Sequence, residues 1–395
     1  MSAAEKAARP FDIVLYGATG FTGGLVADYL ARNVPEGGSW AVAGRSREKL
    51  DAVVARLAEA GGAAPAPAIV LADTEDPASL EAMARQARVV LTTVGPYLEY
   101  GEPLVAACAS AGTDYVDLTG EPEFVDRMYL EYQDAAVASG ARLVHACGFD
   151  SIPHDLGVYY TMKQVPEGVP VAVYGAVHSD GQFSGGTFHS AIGQFARLRE
   201  AASTARRRRQ EEGKAEGRRI KAAPARPHHD STLGRWLVPL PTIDPQIVLR
   251  SAAALESYGP DFSYAHYASV GSPVTAVAGM AGVGAIAAGA QVPFLRAQLL
   301  KRIDRGQGPS ESRRARSSFD VTFVALAGGR KVVTRVSGGD PGYTETSMMI
   351  AESALCLAFD DLPPLAGQLT TARSMGDRLL ERVQRGGLTF EVLSA

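Results

Sequence analysis

Three glycines, Gly17, Gly20 and Gly23, stand in the stretch YGATGFTGG, directly after the apolar run FDIVL. Glycines this close together let backbone approach a ligand, and the pattern falls where a strand should end and a helix begin. Ala18, Thr19, Phe21 and Thr22 lie between the glycines, so the loop and the first N–H groups of the helix are expected to cradle an anion. The chemistry that suits such a turn is a dinucleotide pyrophosphate. The spacing is GxxGxxG, where GxGxxG is commoner. At the end of the next strand an NAD-binding chain usually places Asp or Glu for the ribose 2′-hydroxyl. Here the chain reads Ala43-Gly44-Arg45-Ser46-Arg47. Arg45 can make charge-assisted bonds to a 2′-phosphate and Ser46 can add a hydroxyl, which predicts NADP(H).

Two further loops belong to the same reading. Asp73-Thr74 follows the third strand pattern and is expected on the adenine side. Val94-Gly95-Pro96-Tyr97 follows the fourth, at the carboxyl edge where ligands of such sheets sit. Gly95 allows close approach and Pro96 stiffens the turn. Tyr97 is expected to face the nicotinamide, with aromatic packing and proton transfer as its two readings.

The elements that must hold these loops are legible from Phe11 to about Gly148. Short β-rich runs (FDIVLYG, WAVAG, AIVLAD, RVVLTTVG, DYVDLTG, ARLVHACG) alternate with helical patterns. This rhythm predicts an α/β fold, a Rossmann-type doubly wound parallel sheet covered by helices on both faces. After Asp150 the rhythm changes: VAVYGAVHS and SSFDVTFVALAGGRKVVTRVSG alternate like antiparallel strands, the latter with a hairpin signal at Gly328-Gly329. The expected organisation is a nucleotide-binding domain at 10–152, a second mixed α/β lobe at 153–340 and a C-terminal helical segment at 341–395.

Composition agrees with two cores. The chain has 395 residues, 46% of them hydrophobic, which is too long for one small domain. A net charge of −4 offers nothing to recommend nucleic acid as partner. Cys108, Cys147 and Cys356 are odd in number, far apart and in apolar settings. They read as buried thiols of a reducing compartment with no metal cluster. The start MSAAEKAARPFD lacks an apolar core long enough for a secretory signal, so a cytoplasmic protein is expected.

The motifs GATGFTG, AGRS, VGPY, YVDLTGE and GFDSIPHDLG (148–157), in this order, resemble the saccharopine dehydrogenase-like superfamily. The later SGGT (184–187) and GGDPGYTETSMMIAESALCLA (338–358) narrow the resemblance to its trans-acting enoyl reductases of lipid and polyketide biosynthesis. The resemblance implies an NADP-binding Rossmann domain, a C-terminal helix returning to it, and reduction of a C=C bond in an acyl or polyketide-derived intermediate. Saccharopine itself fits poorly, because it needs a charge-lined pocket and the second lobe is notable for apolar sequence. Such a reduction requires hydride delivery, a polarised carbonyl and a proton at the α-carbon. Tyr97 is the first candidate donor, since a neutral phenol can hydrogen-bond a developing enolate. Asp150 is expected either at the nicotinamide amide or as a cap of the helix beginning near Pro153. His154, His189 and Tyr343 complete the candidate groups. The rivals are reduction of a ketone or imine on another apolar substrate, and a non-catalytic NADP-binding protein that associates with membranes or scaffolds a synthase.

Two segments bear on partners. Between Arg197 and Arg235 there are twelve Lys/Arg and five Asp/Glu. The readings are a solvated loop, docking to an acidic acyl-carrier domain, and contact with anionic lipid headgroups. From Phe262 to Leu295 there are 34 positions without a formal charge. That segment reads as a buried or tunnel-lining element, a membrane-surface contact, or a span. Each reading favours an apolar substrate.

Overall fold

The apolar runs of the first half become strands β1 (Phe11–Tyr16), β2 (Trp40–Gly44), β3 (Ala68–Leu71), β4 (Ala87–Thr92), β5 (Asp114–Val116) and β6 (Arg142–Val144). They pair in the order β3-β2-β1-β4-β5-β6, with the strand Gly367–Leu369 beyond β6, and every pairing is parallel. Ile13, Val14, Leu15, Val42, Val89, Val90 and Leu91 are fully buried, as strands covered on both faces require. The computed structural model describes residues 5–6, 8–61, 65–181, 185–300 and 308–395, and of 185–189 it describes the backbone alone. Ser184 of the SGGT motif and the imidazole of His189 therefore lie outside the described residues, as do the side chains of 185–187.

Local chemistry explains where the crossover helices begin and end. Ser46 caps the helix Arg47–Ala60, and Asp76 accepts from the N–H groups of Ala78 and Ser79 at the start of Pro77–Gln86. Gly112 and Gly140 end their helices in the left-handed conformation, with φ of 68° and 82°. Residues up to Phe149 form one compact unit together with Tyr343–Gly386. Within it, the helix Thr344–Phe359 packs on the helix Phe21–Asn33 and on β4, and nearly every one of its residues is buried. Its buried Glu352 is satisfied by Arg382 and by the Tyr29 hydroxyl.

The second unit holds most of 150–342 and the C-terminal residues from Gly387. Its strands are β7 (Val171–Ser179), β8 (Arg219–Ala222), β9 (His228–Asp230), β10 (Arg235–Pro239), β11 (Asp261–Val270), β12 (Phe319–Ala327) and β13 (Arg330–Gly338). The sheet runs from the strand Thr389–Ser394 through β13-β12-β7-β11-β10-β9, with β8 also on β11. The β7–β11 and β8–β11 pairs are parallel and the others antiparallel, so the sheet is mixed. Gly328 and Gly329, at φ 57° and 81°, turn β12 into β13 as the sequence signalled. The helix Ile152–Met162 lies on this sheet at Gly157, where a Cβ would stand 2.3 Å from the Phe323 ring.

The α/β class is thus as expected, a doubly wound parallel sheet with a second mixed sheet. One segment reading needs correction. The uncharged run 262–295 is two elements, because β11 takes its first part into the sheet and Ser272-Pro273 starts a separate helix, Pro273–Ala290. Only Ala276 and Ala290 of that helix are buried, so it does not line an interior. The basic run 197–235, whose first part the helix formers marked as a helix or a solvated loop, forms the helix Leu198–Glu212 and then β8, β9 and the start of β10.

Candidate functional site

Strand order reverses at β1, whose neighbours are β2 on one side and β4 on the other. Brought together at its carboxyl end are the glycine turn and the Thr93–Gly95 loop, the crevice where open α/β sheets take ligands. Gly17 has φ 96°, and a Cβ there would stand 2.8 Å from Val94 Cγ2. At Gly23 an added Cβ would lie 2.1 Å from the Gly17 carbonyl oxygen. Glycine is therefore dictated at both places, by backbone conformation at the first and by close helix–strand packing at the second. Gly20 is the N-cap of the helix Phe21–Asn33, and no side chain caps that end. Its N–H groups and dipole are oriented as phosphate binding needs. The Phe21 ring meets Tyr343 edge to face at 5.0 Å, so both aromatic candidates help to shape the wall of the turn.

Arg45 is exposed immediately after β2, with no carboxylate at that strand end. The Ser46 hydroxyl accepts from Lys49 N at 3.4 Å and keeps its own proton for a second partner. Asp73 accepts from Glu75 N at 3.1 Å, and Thr74 hydrogen-bonds the Tyr16 phenol. Burial, and after it the Asp73 carboxylate, push that phenol up. Asp73 and Thr74 therefore organise the end of β1. Among the described residues, the glycine cradle, the uncapped helix end and the free-standing Arg45 are the features that fit a 2′-phosphorylated dinucleotide.

Tyr97 departs from its expected role. It is 6% exposed, its hydroxyl donates to Thr92 O at 3.2 Å, and the phenol oxygen accepts from Leu118 N at 3.1 Å. Burial, then Asp117, hold the phenol well above its ordinary range. A buried phenol whose proton is already committed to a carbonyl ties two strand-end loops together; it does not present a proton to a ligand. The Glu121 carboxylate, which sequence reasoning missed, completes the loop by accepting from the N–H groups of Tyr97 and Leu98 at 3.1 and 2.8 Å. Pro96 follows Gly95 through a cis peptide bond.

Asp150 opens the second unit one residue before Ser151, the N-cap of the helix Ile152–Met162, so the expected capping role falls to a neighbour that makes no side-chain cap bond. Burial, and after it the Asp244 carboxylate, raise Asp150 to about 6. Asp244 belongs to a buried network that sequence reasoning also missed. Its Oδ1 is 2.7 Å from His154 Nδ1 and its Oδ2 is 3.6 Å from His266 Nε2. Thr242 donates to Oδ2, and Tyr264 Oη lies 3.0 Å from His266 Nδ1. Gly175 makes room for that hydroxyl, since a Cβ there would stand 2.5 Å from it. Burial lowers His266 to about 4, so its imidazole is neutral near pH 7. The available signal was a histidine at the centre of an apolar strand, FSYAHYASV, which calls for a buried partner.

The basic helix also resolves into two kinds of arginine. Arg206, Arg207 and Arg209 are exposed, whereas Arg208 is 2% exposed and bonds Glu212 at 3.1 Å. Glu212 also meets Arg250 at 3.2 Å, and together these cations outweigh the effect of burial and lower its carboxyl.

Fold and turn together define a Rossmann-type nucleotide-binding oxidoreductase. Residues 13–144 match the family model described as the saccharopine dehydrogenase NADP binding domain, and the cofactor is NADP(H). The chain belongs to the trans-acting enoyl reductases. One relative in Mycobacterium tuberculosis H37Rv is 41% identical, with 97% of each chain covered. The trans-acting enoyl reductase of Mycobacterium ulcerans Agy99 is 36% identical over 97% of this chain and 98% of its own. Among solved structures, the apo saccharopine dehydrogenase (L-Glu forming) of Saccharomyces cerevisiae shares the fold, with a TM-score of 0.54, 13% identity and 97% and 99% of the two chains covered.

Proposed function

We propose that the protein is an NADPH-dependent reductase of a C=C bond conjugated to the carbonyl of a lipid- or polyketide-type acyl intermediate. The observation that carries this reading is the glycine turn with exposed Arg45 and no strand-end carboxylate, in a chain related to enoyl reductases over nearly its full length. When bound, NADPH supplies the hydride. The chain's own groups have simpler tasks. Gly17, Ala18, Gly20 and the N–H groups at the start of the helix Phe21–Asn33 receive the pyrophosphate, Thr19 and Thr22 offer hydroxyls beside it, and Arg45 with Ser46 receives the 2′-phosphate. With Tyr97 committed elsewhere, Asp150 is the proton source proposed for the α-carbon. A carboxyl raised to about 6 still carries its proton in part of the population near neutral pH. An acidic acyl-carrier domain is the partner proposed for the exposed Arg206, Arg207 and Arg209.

The test is turnover of a 2-enoyl thioester and of a matched ketone with NADPH and with NADH, read by product mass. A gain of two hydrogens across the C=C bond with NADPH is expected. Arg45→Ala should weaken NADPH binding by about tenfold or more while leaving NADH unchanged. Reduction of the ketone alone, or equal use of NADH, would refute the reading.

A further inference from the structure

The helix Pro273–Ala290 is apolar on all sides and, although it rests on the helix Gly185–Ala196 and on β10, most of its surface is exposed. Val274 is 76% exposed, Val277 63%, Met280 38% and Val283 44%. Val274 and Val283 are nine positions apart, which at 3.6 residues per turn puts them on about opposite sides. Around Gly279, Gly282 and Gly284 an added Cβ would meet nothing within 4 Å. A short second helix, Pro293–Leu300, follows and exposes Phe294 at 69% and Leu295 at 46%. Water-soluble helices normally hide an apolar stripe against a core, and a helix apolar all round belongs inside a protein or in lipid.

Topology decides how lipid could receive it. Both flanking strands, β11 and β12, pair with β7. Ala268 of β11 lies opposite Val177, and Phe319 of β12 lies opposite Ser179. The insertion therefore leaves and re-enters the same end of one sheet. A single span would put its two ends on opposite sides of a bilayer, and the sequence that follows, with Arg296, Lys301, Arg302, Asp304 and Arg305, is too charged to return across it. The helix pair must enter and leave through one leaflet.

Charge identifies the surface. From Phe262 through Ile303 the sequence has no Asp or Glu, and its formal charges are Arg296, Lys301 and Arg302. Arg199 and Glu200 line a surface recess with Ala287, Ala288 and Gln291 at the carboxyl end of the apolar helix, so Arg296 is the cation of the two helices that no acidic residue of this recess offsets. Cations that follow an otherwise uncharged run in sequence, with no acidic residue inside the run, match anionic headgroups. One side of the helix rests on the helix Gly185–Ala196 and on β10; a folded partner would cover part of what remains and leave other valines wet, whereas fluid acyl chains cover all of the exposed surface.

We propose that Pro273–Ala290 and Pro293–Leu300 form a monotopic anchor in one leaflet of a bilayer containing anionic lipid, with Arg296 at headgroup level. The test is co-sedimentation of the full chain with vesicles of phosphatidylcholine alone and of phosphatidylcholine mixed with phosphatidylglycerol. Stronger binding to the mixed vesicles is expected. The variant Val274→Ser/Val277→Ser/Phe294→Ser should bind both about tenfold or more weakly, while NADPH affinity and the thermal melt stay unchanged. Arg296→Glu should weaken binding to the mixed vesicles only. Absence of binding to either vesicle would overturn the anchor. Equal binding to both would overturn the headgroup assignment. Self-association in sedimentation velocity that the triple variant abolishes, without vesicle binding, would overturn it in favour of a second copy.

Discussion

Burial, then the charge of Asp244, raise the half-buried Asp150 carboxyl, and His154 opposes them. The folded-state value of Asp150, about 6, lies above the ordinary 3.8. The carboxyl therefore favours folding fully below about pH 4, and this contribution is lost as pH rises through about 6. The variant Asp150→Asn should match the parent in stability near pH 4 and exceed it at pH 7.5 by about 1–3 kcal/mol. Denaturant melts across that range would show it, and parallel pH–stability curves would contradict it. If Asp150 supplies the proton, parent kcat falls above about pH 6 and the slower Asn variant loses that descending limb. The glycine turn was legible residue by residue, because φ 96° at Gly17 and a 2.1 Å clearance at Gly23 admit no other side chain. His266 was legible only as a buried histidine in want of a partner, and Asp244 was not legible, since nothing local marks a residue that meets it only when a helix and a strand pack.

Elements show why one aromatic reading failed. The VGPY loop was recognised as a ligand-edge turn, and its backbone does stand at the carboxyl end of β4. The direction of its tyrosine was set by partners distant in sequence, Leu118 and Glu121, whose own loop follows β5. Tyr97→Phe should keep kcat within about twofold and lower stability by about 1 kcal/mol, the usual worth of a buried hydrogen bond. Turnover with an enoyl substrate and urea melts would check both numbers. A large loss of kcat at unchanged NADPH affinity would restore the phenol as donor. The basic helix teaches the same point: four consecutive arginines must point around a helix in different directions, and Arg208 meets Glu212 inside.

For the whole molecule, NADPH held at the β1 crevice stabilises the unit that binds it by mass action. At a hundredfold excess over Kd the gain is about 2.7 kcal/mol. Calorimetry should show the melting transition moving up with NADPH and far less with NADH, and equal shifts would argue against selection by Arg45. The sequence by itself determined the strand–helix alternation, the phosphate turn and the preference at its second strand. These rest on local rules: periodicity of burial, backbone freedom at glycine, and charge at a strand end. Only the tertiary structure decided that Tyr97 is an internal tie, that Asp150 feels the charges of a His–Asp–His network, and that the uncharged segment divides into a buried strand and an exposed helix. Each depends on which distant surface a side chain meets, and pairing between remote segments creates that surface.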